Sequence, residues 1–246
     1  MEQRITIRIL LILVAAISLT CRAQSPEKDQ WGEKFNTANS TLVLREIGRS
    51  PSNGQTVVTY RLFASGLPRD AQYTLWLRLV GGEPQAAADA LLNDEGKAVS
   101  RLADSEHHIA EDPINLKVFA GRGEPRQVAL ISKDGKFRAF AQVIPFPIEA
   151  SDGPCHLSAV MTAPNYFGVF VRITGLQPGE DLLIDTESDH EGGQSKGKAT
   201  DQGTYNSALF PFVKGKRSGK VRYSVAAKSC KVGVELPWGE GSYQLQ

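Results

Sequence analysis

Apolar and polar residues alternate with a period of two over much of the chain. Tyr73, Leu75, Leu77 and Leu79 fall on one side, with Thr74, Trp76 and Arg78 on the other. Phe167, Val169, Val171 and Ile173 alternate with Gly168, Phe170, Arg172 and Thr174. Val221, Tyr223 and Val225 alternate with Arg222, Ser224 and Ala226. Successive strand side chains point to opposite faces, so this pattern predicts half-buried strands. Lys133-Asp134-Gly135-Lys136 and Ser52-Asn53-Gly54 place residues that accept positive φ where tight hairpin turns need them. The second turn joins strands over 42–47 and 56–64. Gln85–Leu92 (QAAADALL) is the one helix candidate, and its alanines suit an edge strand equally.

Three landmarks recur in the same order. Val58–Pro68 (VTYRLFASGLP) and Val169–Pro178 (VFVRITGLQP) are both alternating strands that close in Gly-Leu and Pro. Asn93-Asp94-Glu95-Gly96 follows the first, and Thr200-Asp201-Gln202-Gly203 follows the second at nearly equal spacing. Arg126–Pro145 and Lys220–Pro237 are each two strands joined by a tight turn and stopped by proline. An internal repeat of this length means two copies of one architecture. Turn signals every 8–12 residues predict about seven short strands per copy, the pattern of a β-sandwich.

The Gly-Leu-x-Pro turn followed by a new strand resembles the corresponding turn of fibronectin type III and bacterial immunoglobulin-like domains. The resemblance spans Leu42–Pro147 and Cys155–Pro237. It departs from true immunoglobulin domains in having no Trp between Cys155 and Cys230. It implies an all-β chain of two tandem β-sandwich domains, and it implies no particular ligand. The expected organisation is a signal peptide over 1–23, a polar tether over 24–40, a first sandwich over 41–147, a stiff linker over 148–154 and a second sandwich over 155–246. Trp31 and Phe35 are the tether residues that have something to dock with.

The leader reading rests on Arg4 and Arg8, the apolar run Ile9–Leu19, and small residues at Cys21 and Ala23 before Gln24. The run is shorter than the ~20 residues a membrane span needs. Ser18-Leu19-Thr20 departs from the sequence required for lipid attachment at Cys21, so cleavage is preferred over lipidation. The expected location is therefore periplasmic or extracellular, with no transmembrane span after cleavage. Cys155 and Cys230 are the two cysteines left, and an even pair in an exported chain predicts a disulfide.

Charge narrows the partners. The chain of 246 residues carries 28 Lys+Arg against 27 Asp+Glu. Removing residues 1–23 leaves it near neutral. A nucleic-acid partner needs a sustained positive surface, so none is expected. A protein or a polysaccharide at the cell envelope is.

Candidate chemistry is sparse. Asp185, Glu187 and Asp189 have the 1-3-5 spacing of a calcium loop, but His190 and Lys196 stand where that motif needs Gly and a bidentate Glu. Calcium is the one cofactor these residues suggest; otherwise none is expected. If strands run up and down, this acidic loop shares an end with Lys214–Lys220, and the two either neutralise each other or form a polar binding tip. His107 and His108, between Glu106 and Glu111, are candidates for binding or for a metal where the two copies meet. Trp76 and Trp238 are candidate platforms for stacking on sugars. No phosphate-cradling glycine loop followed by a helix is present. The expectation is a non-catalytic binding, adhesion or envelope-assembly protein. The alternatives are a hydrolase with a site at the junction of the copies, and a structural subunit of a surface complex.

Overall fold

The computed structural model describes residues 30–103 and 109–246, with the side chains of 101–103, 109 and 110 left aside. The first part of the chain forms β1 (Thr41–Ser52), β2 (Gln55–Ser65), β3 (Tyr73–Arg78), β4 (Gln85–Leu92), β5 (Ala98–Ala103), β6 (Ile109–Pro113), β7 (Asn115–Val118), β8 (Arg126–Ser132) and β9 (Arg138–Val143). The second part forms β10 (Ile148–Asp152), β11 (Cys155–Ala163), β12 (Gly168–Thr174), β13 (Asp181–Ser188), β14 (Glu191–Lys198), β15 (Tyr205–Leu209), β16 (Ser218–Ala226) and β17 (Lys231–Gly239). Among the described residues the strands form four sheets, ordered β1-β2-β7, β6-β5-β4-β3-β8-β9, β10-β11-β12-β15 and β14-β13-β16-β17.

The two sheet pairs share one strand order. β1-β2-β7 corresponds to β11-β12-β15, and β4-β3-β8-β9 corresponds to β14-β13-β16-β17. The landmarks fall at equivalent places. Gly66 and Gly175 close β2 and β12 at positive φ, and a Cβ there would come 2.1 Å from the Asn39 carbonyl oxygen and 1.8 Å from that of Pro154. The Gly96 and Gly203 amides each donate back to the first residue of their turn, Asn93 and Thr200, at 2.9 Å.

Alternation decides what each strand buries. Along β11, Cys155, Leu157, Ala159 and Met161 face inward, as do Val169, Val171 and Ile173 on β12. They pack with Leu182, Ile184, Val221, Tyr223, Val225 and Trp238 in one core whose buried members all lie within residues 148–238, with Val80 and Tyr243 packed against it. The Cys155–Cys230 disulfide stitches that core across 75 residues of sequence. Leu42, Leu62, Tyr73, Leu75, Val128 and Leu130 belong to a separate core.

Four segments differ from the expected plan. Gln85–Leu92 takes the strand alternative, as β4, but lies between β3 and β5 rather than at a sheet edge. Ile109–Pro113, which follows the histidine pair expected where the copies meet, is strand β6; it pairs with β5, and the two extend the first large sheet outward. The expected linker is β10, a strand that pairs with β11 and puts Ile148 in the second core at 1% exposure; Gly153 and Pro154 form its hairpin turn. The expected tether is docked from Trp31 onward. Trp31 joins Trp76, Ala129, Ile131 and Phe140 on the outer face of the large sheet. That strap is why Ala129 and Phe140 are buried on a face that would otherwise be open.

Candidate functional site

The two halves meet through backbone-level bonds. Met161 N–H donates to the Gly123 carbonyl at 2.8 Å, and the Tyr166 hydroxyl donates to the Arg122 carbonyl at 2.9 Å. The end of the chain crosses back to the first half. Leu245 forms a bridge with Gly121, and Gln246 N–H donates to Ala120 O at 3.2 Å. Beneath this tail lies Glu124, 6% exposed. Its Oε2 accepts from Gly121 N–H at 2.9 Å and from the Tyr243 hydroxyl at 2.6 Å, while Oε1 pairs with Arg126. Burial, and then the bond to Glu124, push the Tyr243 phenol above its usual range.

Beside these bonds runs an open groove of about 560 Å³, lined by both halves. The first half contributes one cross-strand row. Arg78 on β3 pairs with Gln127 on β8, which pairs with Gln142 on β9. The two glutamine side chains are bonded at 3.1 Å. The second half contributes two more rows, Ser158 beside Arg172 and Val160 beside Phe170, on the outward faces of β11 and β12. Phe170 is 40% exposed and Leu79 52%. A smaller hollow of about 250 Å³, under Trp31 and Glu33, shares Gln127 and Gln142 with the groove and prolongs it.

The lining contains two arginines and no carboxylate. Arg78 donates Nε to the Gly82 carbonyl at 3.2 Å and lies 5.9 Å from the Trp31 ring. Arg172 has no carboxylate partner among the described residues. The nearest acid along its row is Glu149, two strands away on β10, and that side chain faces His156 at 3.7 Å. The groove therefore offers guanidinium, amide and hydroxyl groups beside an apolar wall. These are the means of recognition rather than of bond cleavage.

The residues singled out from sequence lie elsewhere. Trp76 is 5% exposed under the Trp31 strap, and Trp238 is fully buried in the second core, so neither ring is an open platform. His107 and His108 lie outside the described residues. Asp185 and Glu187 are strand residues of β13, and only Asp189 and His190 form the turn, both at positive φ. Asp189 pairs with Lys216, and Glu187 faces Arg222 and His190, each at 3.6 Å. Acidic and basic segments thus share an end and neutralise each other. That end also carries residues 163–167 and 239–242, so it faces the first half rather than forming a far tip. Among the described residues no three His, Cys, Asp or Glu side chains converge as a metal requires. The groove residues were missed because their only local signal is a polar residue on the outward side of a strand.

No family model matches the chain, and no curated protein matches it. Among solved structures, the tetra-tandem repeat in the extending region of a large adhesion protein aligns over 81% of this chain at 10% identity, with a TM-score of 0.25. The chain spans about half of it, 49%. A DUF3823 family protein from Bacteroides ovatus ATCC 8483 aligns over 81% of this chain and 97% of its own length, at 11% identity and a TM-score of 0.23. Likenesses of this size carry no argument about function.

Proposed function

We propose that the chain is an exported, non-catalytic binding protein of two fibronectin type III-like modules, dividing between Phe146 and Ile148, and that the groove at their junction is its ligand site. The shared strand order supports the module reading. The disulfide suits an oxidising compartment. The observation that carries the binding reading is a groove built from both halves and held open by bonds such as Met161 to Gly123. A site of this kind exists before its ligand arrives, so little ordering entropy opposes binding. The test is a set of thermal melts of residues 24–246 with soluble polysaccharides and envelope proteins. A ligand at 100 times its Kd adds about 2.7 kcal/mol, a shift of several degrees. The shift should vanish in Ser158→Trp, which fills the groove. A shift that survives that substitution puts the site elsewhere and overturns the proposal.

A structural-subunit reading has one observation in its favour. Phe210 and Phe212 flank Pro211 at 63% and 65% exposure, an apolar pair suited to another protein. It predicts that no soluble ligand moves the melt, and that Phe210→Ser with Phe212→Ser abolishes assembly while the melting temperature holds.

A further inference from the structure

We infer that the junction groove takes a polysaccharide bearing carboxylate groups, an inference that rests on the binding reading above. Four features of the groove converge on that chemistry. First, Arg78 and Arg172 enter it from opposite halves, and no lining side chain is acidic. A ligand with regularly spaced negative charge supplies the missing partners, and a guanidinium meets a carboxylate through two parallel donors. Second, the remaining polar groups are those that serve sugar hydroxyls. Gln127 and Gln142 present amides that both donate and accept, and Ser158 and Thr162 present hydroxyls. Third, Phe170, Val160 and Leu79 form an apolar wall against which the C–H face of a sugar ring packs. Fourth, the groove continues through Gln127 and Gln142 into the hollow beside Trp31, so its shape suits an extended chain rather than one compact molecule; that hollow carries Glu33, so the ligand's carboxylates are met at the Arg78 and Arg172 end.

An acidic peptide is the competing occupant, and the geometry disfavours it. Extended peptides gain affinity by adding a strand to a free sheet edge. The floor here is made of outward sheet faces, which offer side chains only. The free edge of β9 is already occupied: Thr37 N–H donates to Arg138 O at 2.8 Å, and Phe140 N–H donates to Asn36 Oδ1 at 2.7 Å.

The experiment is affinity titration of residues 24–246 with three polymers: polygalacturonate, its fully methyl-esterified form, and poly-L-glutamate. Each is run against the parent chain, the double variant Arg78→Gln with Arg172→Gln, and Ser158→Trp, with melts to confirm folding. Arg172→Gln alone controls for the packing of Arg78 on Trp31, because Arg172 is exposed. The expected result is binding to polygalacturonate that is at least tenfold stronger than to the ester. It falls at least tenfold in the double variant, is lost in Ser158→Trp, and weakens as salt rises. Equal binding of the acid and the ester by a groove that Ser158→Trp still blocks overturns the carboxylate inference and leaves the binding site in place. Polygalacturonate binding untouched by either variant overturns both. Poly-L-glutamate binding as well as polygalacturonate, with the same arginine dependence, makes the ligand an acidic protein segment and overturns the sugar assignment. No binding to any of the three overturns the inference, while the wider panel of melts still decides the groove.

Discussion

The Tyr243 hydroxyl donates to the Glu124 carboxylate at 2.6 Å, across a sequence separation of 119 residues. The last residues of the chain are thereby bonded to the segment just before β8, and the same carboxylate is held by Gly121 N–H and Arg126. A buried carboxylate is tolerable only while its partners remain. Removing one partner and removing the acid should therefore differ in cost. Tyr243→Phe deletes one bond to a charged acceptor and should cost about 1.5–3 kcal/mol. Glu124→Ala leaves Arg126 beside the junction without its counter-ion and should cost about 3–5 kcal/mol. Denaturant melts of both variants check the ranking, and equal losses would mean that the tail is not fastened through Glu124.

The disulfide is expected to stabilise mainly by restraining the unfolded chain. A closed loop of this length is worth on the order of 4–5 kcal/mol in the chain-entropy model. Cys155→Ala with Cys230→Ala should lower stability by that order. The buried members of the core it stitches lie within residues 148–238, so hydrogen exchange should accelerate there first. Uniform acceleration from β1 onward would show that the two cores unfold as one.

Gly175 tests the repeat landmark. Its φ is +81° and a Cβ would lie 1.8 Å from a backbone oxygen, so Gly175→Ala must move the chain itself. Gly135 has a similar φ, +74°, but nothing within 4 Å of the added atom. Gly135→Ala should cost only the left-handed strain, about 1–2 kcal/mol. Gly175→Ala should cost more than about 3 kcal/mol, the range of severe core lesions. Matched melts of the two variants decide it.

The strands were legible because burial in a sheet imprints a period of two, and β3, β12 and β16 carry it plainly. Elements that depend on distant partners were not. Ile148–Asp152 is short and sits between Pro147 and a Gly-Pro pair, so it reads as a linker until β11 supplies its bonds. Trp76 was placed on the polar side of β3, correctly for a bare strand, but the Trp31 strap covers that side. The segment holding Asp185, Glu187 and Asp189 reads as a loop because its acids have the 1-3-5 spacing of a calcium site. Pairing of β13 with β14 overrides that weak local preference. The groove lay beyond reach for a different reason. It needs the register of β3, β8 and β9 and, separately, of β11 and β12, and no local pattern encodes how the rows of two sheets abut.

Alkaline pH should weaken the fold through Tyr73. The ring is fully buried, and its hydroxyl donates to the Pro68 carbonyl at 2.6 Å. Burial, aided by the Asp70 and Asp134 charges, pushes its pKa up from 10.0 to about 12. The folded state therefore keeps the proton over a range where the unfolded chain loses it. The stabilisation is fully present below pH 10 and is lost as pH rises through about 12, by up to about 3 kcal/mol for this group. Burial raises Tyr60, Tyr166, Tyr223 and Tyr243 as well, in the same direction. Tyr73→Phe should cost about 1 kcal/mol at pH 8 and make the decline above pH 10 shallower without abolishing it. Denaturant melts between pH 8 and 11.5 measure both effects.

Trp31 decides whether the segment before β1 is part of the fold. Its ring meets Phe140 edge-on with centroids 5.2 Å apart, and only 8% of the residue is exposed. The strap is also bonded along its length. Thr37 and Arg138 exchange bonds at 2.8 and 2.9 Å, and the Ser40 hydroxyl donates to the Thr37 carbonyl at 2.7 Å. A passive tether would add nothing to stability. A docked strap contributes the burial of a tryptophan, and replacing such a residue by alanine costs about 3–5 kcal/mol. Trp31→Ala should approach that cost. The loss should stop at whatever the whole strap contributes, because beyond that point the segment undocks. A chain beginning at Thr41 should therefore be at least as unstable as Trp31→Ala, and should bind a hydrophobic dye through the uncovered Trp76 and Phe140. A truncated chain that melts with the parent and binds no dye would return residues 30–40 to the status of a tether.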